Sequence, residues 1–216
     1  MIQGPVGSLE AILEHDPDHA PQHTALVCHP HPLYGGTMHN KVVFHAAKAA
    51  LLEGIPTLRF NFRGAGRSQG EFANGVGETQ DVRAALDNLS LRYPQAPVIL
   101  MGFSFGSGVG LRVGAEDPRV VALVGLGLAV NHHDYSVLLK CHKPKLFVEG
   151  TEDEFGPRDK VESLVALLPP PKKLHWVNGV DHFFTGKLDE LEHVVRRFIR
   201  EVTSAADITV TNPVRD

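Results

Sequence analysis

The run Pro97-Val98-Ile99-Leu100-Met101-Gly102-Phe103-Ser104-Phe105-Gly106-Ser107-Gly108-Val109-Gly110-Leu111 decides how the rest of the chain is read. Its first part is apolar without alternation, as a strand buried on both faces requires. From Ser107 onward it can start a helix, so Ser104 lies in the turn between the two. Glycines two residues to either side remove the Cβ atoms that would collide with the neighbouring strand and helix. The backbone can then bend sharply and leave the hydroxyl exposed above a sheet. Such strain is kept where it serves chemistry. A small residue at a tight turn is the bland alternative, but it does not account for the two partners met further along the chain.

Outward from this turn, Thr24–Cys28, Thr57–Phe62, Val120–Leu128 and Lys145–Gly150 are further short apolar runs, and Lys172–Val177 follows them. Between them lie helical periods. In Glu78–Tyr93, Val82, Ala85, Leu86 and Leu89 share one face, with Glu78 and Asp81 in the first turn. His39–Leu52 is stopped by Gly54 and Pro56, and Arg158–Leu168 by three prolines. Leu188–Val202 places Leu188, Leu191, Val195, Phe198, Ile199 and Val202 together. Strands alternating with helices imply an α/β fold, an open and mostly parallel sheet with helices on both faces. Leu9–Leu13 is expected to add an antiparallel edge strand, with Glu14–His23 as its turn. One domain over residues 1–202 and a frayed tail over 203–216 complete the expectation. In such sheets the working residues gather at the carboxyl ends of the strands.

Composition narrows the function classes. A chain of 216 residues suits one domain and buries a core unaided. Two cysteines, Cys28 and Cys141, are too few for a disulfide scaffold, and their apolar neighbourhoods suit reduced thiols. The net charge of −4 comes without any basic stripe, so nucleic acid is not an expected partner. Neither a leader-like N-terminus nor a membrane-length apolar run is present, and a soluble, cytoplasmic protein is expected. Gly64–Gly70 follows a strand, but its glycine spacing is wrong for a dinucleotide loop and Glu71–Gly77 delays the next helix. No cofactor is implied. Arg63 is expected to knit this turn to the nucleophile region, with Ser68 as one partner.

A serine hydroxyl needs a base, and the base needs a third group to hold its tautomer. Two later strand ends supply candidates, Gly150-Thr151-Glu152-Asp153-Glu154-Phe155-Gly156 and Asn178-Gly179-Val180-Asp181-His182-Phe183-Phe184. Asp181 adjoins His182, and adjacent side chains on an extended loop diverge, so it reads as a turn carboxylate. Of the 13 histidines, His15, His19, His23, His132 and His133 read as exposed loop residues. His29-x-His31 lacks the further donors of a zinc site, so no metal is expected.

The order Ser104, Asp153, His182, on this sheet pattern, resembles the α/β-hydrolase superfamily over about Leu9–Val202. Asn61-Phe62-Arg63-Gly64-Ala65-Gly66-Arg67-Ser68 is similar to that family's Asp-x-Arg-Gly-x-Gly-x-Ser turn, with Asn61 in place of Asp. His29-Pro30-His31-Pro32-Leu33-Tyr34-Gly35-Gly36, then Met38-His39-Asn40-Lys41, resembles a compact bacterial branch near the dienelactone hydrolases. The resemblance implies about seven strands, Ser104 as nucleophile, His182 as base and Asp153, three residues after Gly150 as the family spacing has it, as orienting carboxylate. It implies an oxyanion hole from the N–H of Phe105 and a second from the loop after Thr24–Cys28: His31 by alignment, or Leu33 or Tyr34 if the alignment slips. The short connection Asn131–Pro144 leaves no room for a cap. An open, shallow site walled by Tyr34, Phe103, Phe105, Phe155, Phe183 and Phe184 is expected, suited to small or short-chain carboxylic esters. Thioesterase, amidase or peptidase chemistry would use the same residues, and a non-catalytic binding scaffold is the alternative of a different class. The expected partner is a small-molecule ester, with the chain a monomer or small homo-oligomer.

Overall fold

The computed structural model describes residues 1–15 and 20–210. Its strands are β1 (Ile2–Gly4), β2 (Gly7–Leu9), β3 (Ala11–Glu14), β4 (Thr24–Cys28), β5 (Thr57–Phe60), β6 (Val98–Phe103), β7 (Val120–Leu126), β8 (Lys145–Gly150) and β9 (Lys172–Val177). Its α-helices are α1 (Lys41–Leu51), α2 (Val76–Arg92), α3 (Phe105–Glu116), α4 (Arg158–Leu167) and α5 (Leu188–Val210). Seven strands form one sheet in the order β3-β5-β4-β6-β7-β8-β9. All neighbours are parallel except β3, which runs antiparallel to β5 as the edge strand. The fold is that of an α/β hydrolase without a lid: only the 3-10 turn Ser136–Lys140 interrupts the connection from β7 to β8.

Why these segments fold this way is visible at their ends. Asn40 starts α1 by accepting a hydrogen bond from the Val42 N–H. Glu78 starts α2 earlier than its apolar period suggests, because its buried carboxylate accepts from the N–H groups of Ala73 and Gly75. The strands in the middle of the sheet, β4, β6 and β8, are buried at every position, which is why their sequences do not alternate. One apolar cluster, with Leu86, Val109, Leu111 and Val161, joins α2, α3 and α4 to one sheet face. The other, with Val43, Ala46, Met101, Val195 and Ile199, joins α1 and α5 to the opposite face. Burying one such Leu or Val is worth about 1.5–3 kcal/mol. Cys28 and Cys141 are both free and buried.

Three local expectations change. The β1–β2 hairpin was not anticipated, because two three-residue strands carry no readable period. Helix α5 continues to Val210 rather than ending at Val202, since nothing between those positions breaks a helix. Residues 211–216 of the expected tail lie outside the described residues. In the expected turn Glu14–His23, Glu14 belongs to β3, His23 is buried, and 16–19, including His19, lie outside the described residues. Among the described residues no helix is long and apolar enough to cross a membrane.

The strand order matters for the site. The chain leaves β4 outward to β5 and returns to β6 on the other side of β4. The loops after β4 and β6 therefore diverge and open a crevice at their carboxyl ends, where open α/β sheets bind ligands.

Candidate active site

Ser104 occupies that crevice. Its backbone is in a region that side chains rarely adopt, at φ 55° and ψ −120°. The close packing around it explains the flanking glycines. A Cβ on Gly102 would be driven into the Gly106 carbonyl, and one on Gly106 into the carbonyls of Cys28 and His29 on the β4 loop. The turn is tied at both sides: Ser104 N–H donates to Leu126 O at 3.0 Å, and Ser107 N–H donates to Ser104 O at 2.9 Å. Ser107 Oγ donates to the same carbonyl at 2.6 Å and lies 2.7 Å from the buried Tyr135 hydroxyl. Among the described residues, the Phe105 N–H at the start of α3 has no acceptor, as the first turn of a helix permits.

His182 reaches Ser104 from the loop after β9, with Nε2 2.9 Å from Ser104 Oγ. Its Nδ1 is 2.6 Å from Asp153 Oδ2, on the loop after β8. Asp153 is buried, and its other oxygen accepts from the N–H groups of Phe155 and Gly156 at 2.8 and 3.2 Å. Glu152 and Glu154 point away into exposed positions. Asp181 is occupied in its own turn, accepting from Phe183, from Thr185 N–H and from the Thr185 hydroxyl. Those bonds hold its carboxyl below the usual range. The His182 ring is held between Phe103 and Phe155, at centroid distances of 5.0 and 4.6 Å. Gly127, at φ 53°, passes beneath it so closely that a Cβ would lie 3.1 Å from His182 Cε1.

Behind Asp153 lies a carboxyl that sequence reasoning did not single out. Glu149, on β8, is fully buried, and both its oxygens lie 3.0 Å from the Leu128 N–H. Burial raises its pKa well above the usual carboxylate range, with the nearby Asp153 charge adding to the effect.

The β4 loop forms the opposite wall. His29 is fully buried; Nε2 accepts from the Phe62 N–H at 2.9 Å, and Nδ1 lies 2.6 Å from Pro30 O, to which it must then be the donor. Both ring nitrogens are committed, so His29 has none left for a metal. His31 is half-buried among the rings of Tyr34, Phe72 and Phe105. The N–H groups of Leu33, Tyr34, Gly35 and Gly36 all donate within the loop, whereas among the described residues the His31 N–H has no acceptor. Asn61 donates to Glu10 and accepts from the Met38 N–H, so the amide does work for which the family's Asp would have no donor. Arg63, expected to reach the nucleophile region or Ser68, pairs instead in two-pronged fashion with the buried Asp81 of α2, at 2.8 to 3.2 Å.

These elements enclose a cavity of about 660 Å³, larger than a short acyl chain alone requires. Tyr34, Phe105, Phe155 and Phe183 line it, with His31, Ser104 and His182. Phe103 and Phe184 do not. Both are fully buried, and Phe103 serves the site by packing against His182 and Phe183. Phe72, Asn74, Arg112, His132 and His133 also line it and were not assigned there from sequence. His133 is half-buried rather than an exposed loop residue, and burial lowers its pKa to about 4.

The family described as serine aminopeptidase, S33, matches residues 21–143, more than half of the chain. A solved α/β serine hydrolase homologue from Coxiella burnetii is 39% identical, covering 91% of this chain and 94% of its own, with a TM-score of 0.86. The chain belongs to the α/β-hydrolase family. This α/β hydrolase is also similar to a serine hydrolase without a lid from Xanthomonas campestris, at 35% identity over 93% of this chain and 92% of that one, TM-score 0.84. An uncharacterized protein of Rickettsia prowazekii is 38% identical over 189 residues, 83% of this chain and 79% of that one.

Proposed function

We propose that this serine hydrolase cleaves small carboxylic esters through an acyl-enzyme on Ser104. The observation that carries the reading is His182, bridging Ser104 and Asp153 at 2.9 and 2.6 Å. Nδ1–H donates to Asp153, which leaves Nε2 as the acceptor for the Ser104 proton. Ser104 Oγ attacks the ester carbonyl carbon while His182 Nε2 takes its proton. The carbonyl oxygen gathers negative charge and receives the N–H groups of Phe105 and His31, neither of which has an acceptor among the described residues. The C–O bond to the alcohol then breaks, and His182 returns the proton to the departing oxygen. Water repeats the sequence, with His182 again as base, and releases the acid and free Ser104. Tyr34, Phe155 and Phe183 provide apolar walls for the substrate.

Ester is favoured over aminopeptide. A free α-ammonium group calls for carboxylates, but the cavity is lined by Arg112 and four histidines, with Asp134 as its acidic residue. The test is labelling with a fluorophosphonate followed by intact mass. One adduct on the unmodified protein and none on Ser104→Ala is expected. Equal labelling of the two, or none on either, would overturn the Ser104 assignment.

A further inference from the structure

Arg112 has no part in the acyl transfer, yet it lines the same cavity as Ser104 and His182. At 100° per residue, Phe105, Gly108 and Arg112 fall on one stripe of α3. Gly108 leaves a gap in that stripe that the His133 ring fills, 5.5 Å from the ring of Phe105. Arg112 is exposed to the cavity, and among the described residues it makes no ion pair or hydrogen bond, unlike Arg59, Arg63 and Arg119. The cavity's carboxylate, Asp134, does not pair with it. Both Asp134 oxygens accept from Ser136, one from the N–H at 2.8 Å and one from the hydroxyl at 2.9 Å.

Two histidines beside Arg112's end of the cavity give up their charge readily, because burial lowers the pKa of His133 to about 4 and lowers that of His31. Arg112 is the cavity's one guanidinium; the Asp134 carboxylate also lines the cavity and feels its charge, but it does not occupy the planar fork, which matches a carboxylate in two parallel N–H···O bonds. A single charge suits a monoanion better than a phosphate dianion. Ser104 and Arg112 are eight residues apart, about 12 Å by helical rise. An arginine on a helix leans back toward the N-terminus and shortens that span.

Resting on the esterase reading, we propose that Arg112 binds a carboxylate at the far end of the substrate, so that half-esters of dicarboxylic acids are hydrolysed in preference to neutral esters of equal length. The guanidinium holds the distal carboxylate and the acyl chain runs along the α3 face to the scissile carbonyl at Ser104.

The test compares kcat/KM for phenyl hydrogen adipate with phenyl hexanoate, which has the same acyl length without the charge. A preference for the adipate of about tenfold or more is expected in the unmodified protein, which is the effect of ~1.4 kcal/mol. It should fall close to unity in Arg112→Gln and persist in Arg92→Gln, which removes an equal charge from the end of α2. Raising salt should reduce it. Equal rates on both esters, or a preference unchanged in Arg112→Gln, would overturn the Arg112 proposal while leaving fluorophosphonate labelling of Ser104 intact. A phosphonate-ended ester preferred over the adipate would overturn the choice of carboxylate. If the fluorophosphonate does not label Ser104 and neither ester is cleaved, the esterase reading falls and this proposal with it.

Discussion

The two sides of the crevice are held by different physics. At the end of β6, Ser104 is positioned by exclusion: the glycines let α3 press against the carbonyls of the β4 loop, and the strained backbone has nowhere else to go. At the ends of β8 and β9, Asp153 and His182 are positioned by hydrogen bonds, three of them to the Asp153 carboxylate. Packing by exclusion couples the site to the fold. Hydrogen bonding at the rim of the sheet lets it be altered with the fold intact.

The sharpest way to break that contrast is Asp153→Asn. Asn keeps an oxygen for the Phe155 and Gly156 N–H groups, so the loop should hold its shape. Its amide would face His182 Nδ1 with a donor and so impose the wrong tautomer on the imidazole. We expect kcat/KM to fall roughly 10⁴-fold, with the urea midpoint nearly unchanged. A matching collapse of stability would show that the β8 side also works by packing.

The β4 loop lies between the two cases, because His29 is both tightly packed and fully bonded. Burial lowers its pKa from 6.5 to about 4. The folded protein therefore binds this proton less readily than the unfolded chain. The stability this confers is fully present above about pH 6.5 and is lost as pH falls toward 4, where Nε2–H would confront the Phe62 N–H. At 1.36 kcal/mol per pKa unit the loss is roughly 3 kcal/mol. Urea unfolding at pH 7 and pH 4 should show it. The gap between the unmodified protein and His29→Gln should narrow over that interval, and a constant gap would remove His29 as the cause.

How far the sequence revealed the site follows the same division. The Ser104 turn is readable because exclusion is recorded locally, as glycines at fixed distances. Asp153 is readable for a related reason: a Cβ on Gly150 would lie 2.5 Å from Val180 O, so that glycine lets the His182 loop close over β8. The sheet was legible from its apolar runs, down to the antiparallel edge at β3. Contacts chosen by distant segments left no such record. Arg63 finds Asp81 on α2, and Glu149 finds the Leu128 N–H across the sheet. His133 and Arg112 meet only because the loop after β7 folds against the Gly108 gap. Phe103 carries the same apolar label whether it faces ligand or core, and only the register of β6 assigns it to the core face with Met101.

The exclusion side has its own test in Gly106→Ala, the smallest effect expected here. The added methyl group would meet the backbone carbonyls of Cys28 and His29, which cannot swing aside as a flexible side chain would. Either α3 withdraws from the sheet or the β4 loop shifts, at a cost of about 1–3 kcal/mol. Both movements displace the Phe105 and His31 N–H groups relative to Ser104. Urea stability and the rate of fluorophosphonate labelling should therefore fall together, whereas Asp153→Asn separates stability from activity. A Gly106→Ala protein that melts normally but labels slowly would mean that the glycine serves only the local shape of the turn, and that β4 and α3 are held together by something other than their close approach.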